Sequence, residues 1–425
     1  MSNKKTVIIG LDGVPFSLLR DLSERDVMPN TKRLLSEGVF KKMRSSVPEV
    51  SSVAWSSIIT GCNPAEHGIF GFMDFAPGTY RLQFPNYNNL KRQPFWAQPE
   101  RKSAIINIPS TFPVRELDGV HISGFVSLDL ERSVHPKSLI NKLKEIDYRL
   151  DVDSEKAHKS FEFFLNDLDR TLKARIEAYR YLWNKDDWKN FVLVFTGTDR
   201  LMHFLWDAYE DKAHKYHARF LEHFRQIDEV IGEIADALGA ADELIMCSDH
   251  GFERLDKEVN INYILKINGF LNLPNSADSS WGHIDGTTRA FALDPARIYI
   301  NLKGKYPRGS VAGHDREGVL GELERLFGSL ESDGKKVIRD VYRKEDIYSG
   351  PLMDRAPDLV LVGNKGFNLR ANIKAENMFS KGIFSGKHTQ DDAFLFVKGI
   401  SNNNIIPEDP EIFDIVKILQ GDQYA

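Results

Sequence analysis

Three apolar runs in the chain each lead into residues that can bind a metal ion. These residues are carboxylates and imidazoles: Asp12 after the run 6–11, Asp199 and His203 after 191–195, and Asp249 and His250 after 243–247. Short apolar runs of this kind predict buried strands. In open α/β sheets the ligand site lies beyond the carboxyl ends of the strands. The pattern therefore predicts one site that holds more than one metal ion, with the chemistry of a two-metal hydrolase.

Two of these groups are pairs of residues whose spacing suits metal binding. Each pair alone is weak support for a metal site, and the support becomes stronger when they occur together. Asp199 and His203 are four residues apart, which places both side chains on one face of a helix and suits two ligands of one metal ion. Such a pair alone usually forms a surface hydrogen bond, and a buried Asp249–His250 pair is equally compatible with a structural hydrogen bond. The repetition of the design at three strand ends favours the metal site.

Ser51 is the candidate nucleophile, at the start of a segment that predicts a helix over residues 53–60. The ordinary role for a serine there is to cap the helix, and Ser52 could do this equally well. A helix N-terminus also favours an anion such as phosphate. Coordination to a metal ion would give the serine oxygen the alkoxide character that a free hydroxyl lacks. Without the metal ligands nearby, Ser51 would be interpreted as a cap.

The elements that must position these residues alternate between strand-like and helix-like segments. This alternation predicts an α/β fold with a mainly parallel sheet sandwiched between helices. Residues 126–186 are charge-rich with a helical pattern, and predict a helical insertion that is either a cap or an outer helical layer. Residues 258–380 carry their own strand signals and predict a second α/β insertion. We expect all residues, 1–425, to form a single catalytic domain with these two insertions.

Composition excludes several classes of protein. The net charge of −5 lacks the basic excess that is typical of proteins binding nucleic-acid polymers. The only two cysteines, Cys62 and Cys247, imply no disulfide framework and fit a reducing compartment. The apolar stretch after Lys4 and Lys5 stops at Asp12, too early for a secretion signal or a membrane span. We expect a cytoplasmic protein that has no membrane partner, and the sequence leaves its oligomeric state open.

Histidines outside the strand ends have simpler interpretations. His214, His217 and His223 fall in a charged helical segment, and we expect them to lie on a solvated face. His388 follows Gly386 in a turn and precedes an apolar run, so its imidazole could point into a cleft. A single histidine in a loop is usually solvated, so its position alone gives His388 no functional role.

Taken in chain order, the candidate residues resemble the pattern of the alkaline phosphatase superfamily, and within it the type I phosphodiesterase/nucleotide pyrophosphatase group. The matching residues are Asp12, Ser51, Asp199-x-x-x-His203, Asp249-His250 and His388. Segment 51–71, with its Ala-Trp, Thr-Gly, Asn-Pro and His-Gly-Ile-Phe motifs, looks like the nucleophile region of this group. The resemblance covers nearly the whole chain and implies an alkaline-phosphatase-like fold.

The resemblance implies a role for each matching residue. Two ligand sets follow, one for each ion: Asp199, His203 and His388 for the first, and Asp12, Asp249, His250 and the Ser51 oxygen for the second. Ser51 would attack phosphorus and form a phosphoseryl intermediate. The mixture of carboxylate and imidazole ligands favours zinc, with manganese as the alternative.

One position departs from the family pattern. Nucleotide pyrophosphatases carry an asparagine that holds a phosphate oxygen shortly after the His-Gly-Ile motif, and that position here is Phe72. The phosphate would need another donor, such as the amide of Ser52 or the side chain of Arg200 or Lys387. For Arg200 and Lys387 the simpler interpretation is an ordinary solvated charge. The departure leaves phosphomonoesters, other diesters and phosphonates open as substrates.

The sequence therefore predicts a phosphoric ester hydrolase, with phosphodiester or pyrophosphate cleavage first among its reactions. The expected partner is a small-molecule phosphate ester, with nucleotides among the candidates. A phosphomonoesterase or a phosphoglycerate mutase-like phosphotransferase would use the same serine and metal ions. A metal-stabilised nucleotide-binding protein without turnover is the alternative from another class. The complete ligand set and the intact Ser51 argue against it.

Overall fold

The computed structural model describes residues 4–98, 101–273, 280–400 and 403–421, with the side chain of Asn403 left out. It comprises two compact units. The first contains Met1–Cys62, Asn86–Phe252 and His388–Ala425, and the second contains Asn63–Pro85 and Glu253–Lys387. The predicted helical insertion 126–186 falls within the first unit, and the predicted insertion 258–380 falls within the second. The prediction of a single domain stays a prediction.

The strands of the first half of the chain are β1 (Thr6–Leu11), β2 (Val39–Met43), β3 (Asp74–Phe75), β4 (Leu82–Gln83), β5 (Ser103–Ile108), β6 (Gly119–Ser123), β7 (Val134–His135) and β8 (Asn190–Phe195). Those of the second half are β9 (Glu243–Cys247), β10 (Gly251–Arg254), β11 (Lys257–Asn260), β12 (Ala290–Leu293), β13 (Arg297–Ile300), β14 (Glu331–Ser332), β15 (Lys335–Lys336), β16 (Ile338–Arg343), β17 (Leu359–Gly363), β18 (Phe367–Arg370), β19 (Phe379–Ser380), β20 (Gly386–Thr389) and β21 (Ala393–Lys398).

The helices up to residue 183 are α1 (Phe16–Glu24), α2 (Pro29–Leu35), α3 (Ser51–Thr60), α4 (Pro64–His67), α5 (Leu139–Glu145), α6 (Glu155–Lys159) and α7 (Phe161–Trp183). The later ones are α8 (Gly197–Glu210), α9 (His217–Ala237), α10 (Ile261–Ile267), α11 (Arg316–Gly328), α12 (Lys344–Ile347) and α13 (Asp414–Gln420). Among the described residues, no helix has both the length and the apolar character needed to cross a membrane.

An eight-stranded sheet forms the centre of the first unit, in the order β2-β21-β9-β1-β8-β5-β6-β7. Its five middle strands, from β9 to β6, run parallel, and the outer strands β2, β21 and β7 pair antiparallel. Every residue of β1, β8 and β9 is buried, as expected of parallel strands covered on both faces. Helices flank the sheet, which confirms the predicted fold class.

The register of the three middle strands aligns their carboxyl ends. Leu11 at the end of β1 pairs with Phe195 at the end of β8. Gly10 pairs with Cys247 at the end of β9. The residues that follow these strands therefore meet at one edge of the sheet.

Residues 126–186 contain the helices α5, α6 and α7, and also the strand β7, which pairs with β6 at the edge of the central sheet. Ser160 caps α7 by accepting a hydrogen bond from the amide of Glu162 at 3.2 Å. One face of α7 is buried, and the helix packs against α8 and α9. Since α8 carries Asp199 and His203, α7 supports the helix on which two of the candidate ligands lie.

The second unit has its own sheets and core. Strands β12, β13, β17 and β16 form a four-stranded antiparallel sheet, and β18, β11 and β19 form a three-stranded one. Two of the strand signals within the predicted insertion, the apolar runs at residues 296–302 and 358–362, correspond to β13 and β17. Buried side chains of these sheets, α10 and α11 form one hydrophobic cluster, so this unit has a core of its own.

Candidate functional site

The candidate residues lie where the sheet order predicts them. Asp12 follows β1, Asp249 and His250 follow β9, and Asp199 lies in the first turn of α8, which begins just after β8. Gly13 has a φ of +73°, a conformation that costs glycine little. The turn at Gly13 directs its amide to Oδ1 of Asp249 at 3.0 Å. This hydrogen bond joins the ends of two neighbouring strands.

Asp199, His203 and His388 form the first cluster of candidate ligands. Nε2 of His388 lies 3.1 Å from Oδ1 of Asp199 and 2.9 Å from Nε2 of His203. Nε2 of His203 is 3.5 Å from the same carboxylate oxygen. The i, i+4 spacing on α8 therefore presents both helix side chains to His388, as the sequence predicts.

Ser51, Asp12 and His250 form the second cluster. The Ser51 hydroxyl lies 3.4 Å from Oδ1 of Asp12 and 3.3 Å from Nε2 of His250. Oδ2 of Asp249 is 3.4 Å from the same His250 nitrogen. All four residues are buried, so the structure brings the predicted nucleophile and three predicted ligands together.

The two clusters are joined through Asp199. Ligand atoms of Asp12, Asp199 and His250 lie within 4.8 Å of one another, as do those of Asp199, His203 and His388. Asp249 adjoins the group of Asp12, Asp199 and His250, because its Oδ2 lies 3.4 Å from Nε2 of His250. The geometry thus places Asp199 in both groups, whereas the resemblance assigns it to only one. The assignment of each ligand to an ion stays a prediction.

Backbone carbonyls orient two of the imidazoles. Nδ1 of His388 lies 2.9 Å from the carbonyl oxygen of Glu49, and Nδ1 of His250 lies 3.1 Å from that of Gly251. Because a carbonyl oxygen can only accept, Nδ1 of each ring carries a proton, and in the neutral form of the ring the lone pair is on Nε2, directed into the cluster. This is the tautomer that a metal-ligating histidine needs.

The charges in the site are strongly coupled. Burial raises the pKa of Asp12, and the nearby carboxylates of Asp249 and Asp199 raise it further. Burial also raises the pKa of Asp249, to about 7. Asp199 differs, because the attraction of His203, His388 and Arg200 outweighs its burial and lowers its pKa.

The donor set fits a divalent metal centre. Oδ2 of Asp249 is buried without a hydrogen-bond partner among the described residues. Nε2 atoms of His203 and His388 lie 2.9 Å apart, a distance at which two lone pairs repel unless a cation or a proton lies between them. Buried carboxylate oxygens and facing imidazole nitrogens are the ligands that zinc or manganese would use.

Ser51 does not act as a helix cap. The N-cap of α3 is Val50, which has no capping side chain, and the Ser51 hydroxyl faces Asp12 and His250 instead. Oγ of Ser52 is buried and has no hydrogen-bond partner among the described residues. Trp55, one turn later, donates to Oδ2 of Asp12 at 3.2 Å. Trp55 is not among the predicted site residues, although its position four residues after Ser51 places it on the same helix face.

Arg200 is not the solvated charge of the simpler interpretation. Its side chain is 14% exposed and pairs with Oδ2 of Asp199 at 3.1 Å and Oδ2 of Asp151 at 2.9 Å. The guanidinium also lies over the ring of Phe125, 3.9 Å from its centre. Asp151 and Phe125 are distant in sequence and had no signal that could link them to the site.

Two further candidates lie in the second unit. The side chain of Lys387 is only 5% exposed and pairs with Glu253 at 3.1 Å, so the solvated interpretation is wrong because the charge is buried against a carboxylate. Phe72 is half-buried in a bend before β3. A role in phosphate binding stays a prediction for both residues.

His223 also departs from expectation. The prediction of a solvated histidine is wrong because His223 is 2% exposed. It lies on the face of α9 that carries Phe220, Phe224 and Ile227, and this i, i+3, i+4 spacing was visible in the sequence. His214 precedes α9, and His217 begins it.

Comparisons with known proteins agree with the geometry. Residues 6–391 match the family described as type I phosphodiesterase / nucleotide pyrophosphatase. No curated protein sequence matches the chain.

Several solved structures share the fold. Phosphonoacetate hydrolase from Sinorhizobium meliloti 1021, in complex with phosphonoformate, has a TM-score of 0.65 at 15% identity, covering 98% of this chain and 95% of its own. Murine ectonucleotide pyrophosphatase/phosphodiesterase 5, as an inactive variant in complex with AMP, has a TM-score of 0.55 at 15% identity, covering 98% and 94%. The human form has a TM-score of 0.56 at the same identity and coverage.

Proposed function

This chain belongs to the type I phosphodiesterase/nucleotide pyrophosphatase family of metal-dependent hydrolases, and we propose that it cleaves small phosphoric diesters with Ser51 as its nucleophile. The observation that carries this proposal is the position of the Ser51 hydroxyl, within 3.4 Å of Asp12 and 3.3 Å of His250. A serine with only a capping role would instead hydrogen-bond to the backbone of its own helix.

In the proposed reaction, Oγ of Ser51 forms a bond to phosphorus as the bond to the leaving oxygen breaks. The proton of the Ser51 hydroxyl ends on the leaving alkoxide, which departs as an alcohol. Water then cleaves the phosphoseryl intermediate, which still carries the second ester group: the hydroxyl of the water bonds to phosphorus, its other proton restores the hydroxyl of Ser51, and a phosphate monoester is released. Oδ1 of Asp12 accepts a hydrogen bond from the Ser51 hydroxyl in the resting site and orients it. The N-terminus of α3, including the Ser52 amide, faces the developing charge on the phosphate oxygens.

Two divalent ions are the cofactors of this proposal. One set of residues would hold each ion, with Asp199 near both: Asp199, His203 and His388 for one, and Asp12, Asp249 and His250 with Ser51 for the other. Bound there, the ions would supply Lewis-acid stabilisation of the charge on the serine oxygen and the leaving oxygen. Zinc suits the mixed ligands best, with manganese as the alternative.

The substrate class is inferred from the family description and from two structural neighbours. The family description names phosphodiesters and nucleotide pyrophosphates, and one structural neighbour binds AMP, which favours diesters and nucleotides. Phe72 stands where the resemblance expects an asparagine, and another neighbour hydrolyses a phosphonate. A phosphomonoesterase or a phosphotransferase is therefore the second candidate.

The test compares hydrolysis of bis-p-nitrophenyl phosphate and p-nitrophenyl phosphate by zinc- or manganese-loaded protein. We expect a preference for the diester that disappears in Ser51→Ala and persists in Ser46→Ala. Ser46 is the matched control because its buried hydroxyl donates to the carbonyl of Pro48 and lies outside the ligand clusters. A preference for the monoester would move the enzyme to the second candidate.

A chemical trap separates the serine mechanism from direct attack by water. Acid quenching during turnover of bis-p-nitrophenyl phosphate should add the mass of one p-nitrophenylphosphoryl group to the peptide that contains Ser51. Turnover of the Ser51→Ala variant at the wild-type rate would disprove the nucleophile. Tight nucleotide binding without turnover under either metal would favour the non-catalytic binding protein.

A further inference from the structure

The second unit contains a cleft that the proposed reaction does not use. Its volume is about 220 Å³, and it is lined by a carboxylate, aromatic rings and two basic side chains. The residues that matter are Asp74, Phe75, Tyr299, Lys305, Tyr306 and Arg355. A cleft of this size accommodates a small molecule rather than a single water.

Asp74 is a buried carboxylate whose charge lacks a direct partner. It is 6% exposed, and its Oδ1 accepts from the amide of Phe75 at 3.0 Å and from the hydroxyl of Tyr299 at 3.5 Å. In the described part of the chain, Oδ2 has no hydrogen-bond donor, and no cationic nitrogen lies within 4 Å of the carboxylate. Arg297 reaches it only through Tyr299, whose hydroxyl lies 3.0 Å from Nη1 of Arg297. A buried carboxylate in this state gains from a cation that enters the cleft.

Aromatic rings line the same cleft as this carboxylate. Phe75 and Tyr299 are buried, and Tyr306 stacks on Tyr80 with ring centres 5.7 Å apart. Aromatic faces attract ammonium groups, and the attraction grows when the group is removed from water. A carboxylate within an aromatic wall is therefore suited to an amine.

Basic side chains occupy another part of the lining. Nζ of Lys305 donates to the carbonyl of Asp354 at 2.7 Å, a neutral partner that leaves its charge uncompensated at this contact. Burial lowers the pKa of Lys305, whereas burial raises that of Asp74 against the opposing effect of Arg297. Within the described ranges, the guanidinium of Arg355 forms no ion pair. An anionic group would compensate both cations.

We propose that this cleft binds a small zwitterion, with its ammonium group on Asp74 and its anionic group on Lys305 and Arg355. A compound with a single charge would satisfy only one of the two regions. The chemical class is an amine linked by a short chain to a phosphate, phosphonate or carboxylate. The inference does not depend on hydrolysis by Ser51.

Calorimetric titration of the full-length, metal-loaded protein tests the proposal with three probes. The zwitterion is 2-aminoethylphosphonate, in which a two-carbon chain joins the amine to the phosphonate. Ethylphosphonate lacks the amine, and ethanolamine lacks the anion. We expect the zwitterion to bind at least about tenfold more tightly than either, the effect of one additional buried charge contact. Equal affinity for the zwitterion and ethylphosphonate would overturn the proposal.

Asp74→Asn locates the amine. This variant keeps the shape of the side chain, and should reduce the affinity for 2-aminoethylphosphonate to that for ethylphosphonate, while the affinity for ethylphosphonate stays unchanged. Asp315→Asn, at an exposed carboxylate, is the matched control and should change neither affinity. Equal weakening of both probes by Asp74→Asn, or no weakening, would refute the site.

Arg355→Gln provides a second variant in case Asp74→Asn fails to fold. It should weaken both phosphonates by the same factor and leave ethanolamine unaffected. Unchanged binding of both phosphonates would also refute the site. These outcomes are independent of the proposed function, because hydrolysis of bis-p-nitrophenyl phosphate through Ser51 is measured separately.

Discussion

Nη1 of Arg200 donates to Oδ2 of Asp199 at 3.1 Å, while Oδ1 of the same carboxylate faces His388 at 3.1 Å. The two oxygens of Asp199 therefore have different partners. Asp151 holds the other side of the guanidinium, and Phe125 lies beneath it. Residues before and within 126–186 thus fix the orientation of a candidate metal ligand.

Replacing Arg200 by glutamine should weaken metal binding, because Oδ2 of Asp199 would lose the charge that orients it. Loss of such an outer partner typically costs about 10–100-fold in metal affinity. Competition with a chromophoric chelator measures the affinity directly. Arg180→Gln is the matched control, since Arg180 pairs with Glu233 on the surface. Full metal affinity in Arg200→Gln would show that Asp199 needs no such support.

The shared position of Asp199 predicts an asymmetry among the ligand variants. His203→Ala and His388→Ala should each lower the metal content from two ions per chain toward one. Asp199→Asn should lower the occupancy of both sites, because Oδ1 lies 3.1 Å from Nε2 of His388 and 3.9 Å from that of His250. Elemental analysis after dialysis counts the ions. His314→Ala, at a side chain that is 85% exposed, serves as the control. Two ions in every variant would contradict the assigned ligands.

The sequence could predict the ligands at strand ends because parallel strands bring their carboxyl ends together. Asp12, Asp199 and Asp249 follow from this rule alone, whereas His388 required the family pattern. The rule could not pair Arg200 with Asp151, since such a contact depends on how the helices of the insertion pack. The rule also gives no information on whether the Ser52 hydroxyl has a hydrogen-bond partner. Among the described residues it has none, and this depends on how the folded site packs around it.

That unpaired hydroxyl predicts a role for Ser52 in phosphate binding. Oγ of Ser52 is buried beside the nucleophile and has no hydrogen-bond partner in the described part of the chain, and a bound phosphate oxygen would supply one. Ser52→Ala should lower kcat/KM about tenfold, the effect of one hydrogen bond to a charged group, and leave metal content intact. Ser56→Ala, whose hydroxyl already donates to the Ser52 carbonyl at 2.6 Å, is the control. If Ser52→Ala raises the melting temperature without changing kcat/KM, the phosphate does not reach this hydroxyl.

Two buried histidines predict how the protein responds to acid. Burial lowers the pKa of His121 and His223 to about 3, well below the unfolded value of about 6.5. Below about pH 6.5 these two histidines bind protons in the unfolded chain but not in the folded protein. Their contribution to stability is therefore complete above that pH and is lost as the pH falls toward 3.

Between these two pH values, each of these histidines should lower the free energy of unfolding by about 1.4 kcal/mol for every pH unit of acidification. Urea unfolding at a series of pH values between 7 and about 4.5 measures the slope. His223→Leu should reduce it by the equivalent of one proton, since leucine suits the apolar surroundings of Leu168 and Leu172. His314→Leu, at an exposed position, should leave the slope unchanged. An unaltered slope in His223→Leu would mean that His223 binds its proton equally well in the folded and unfolded states.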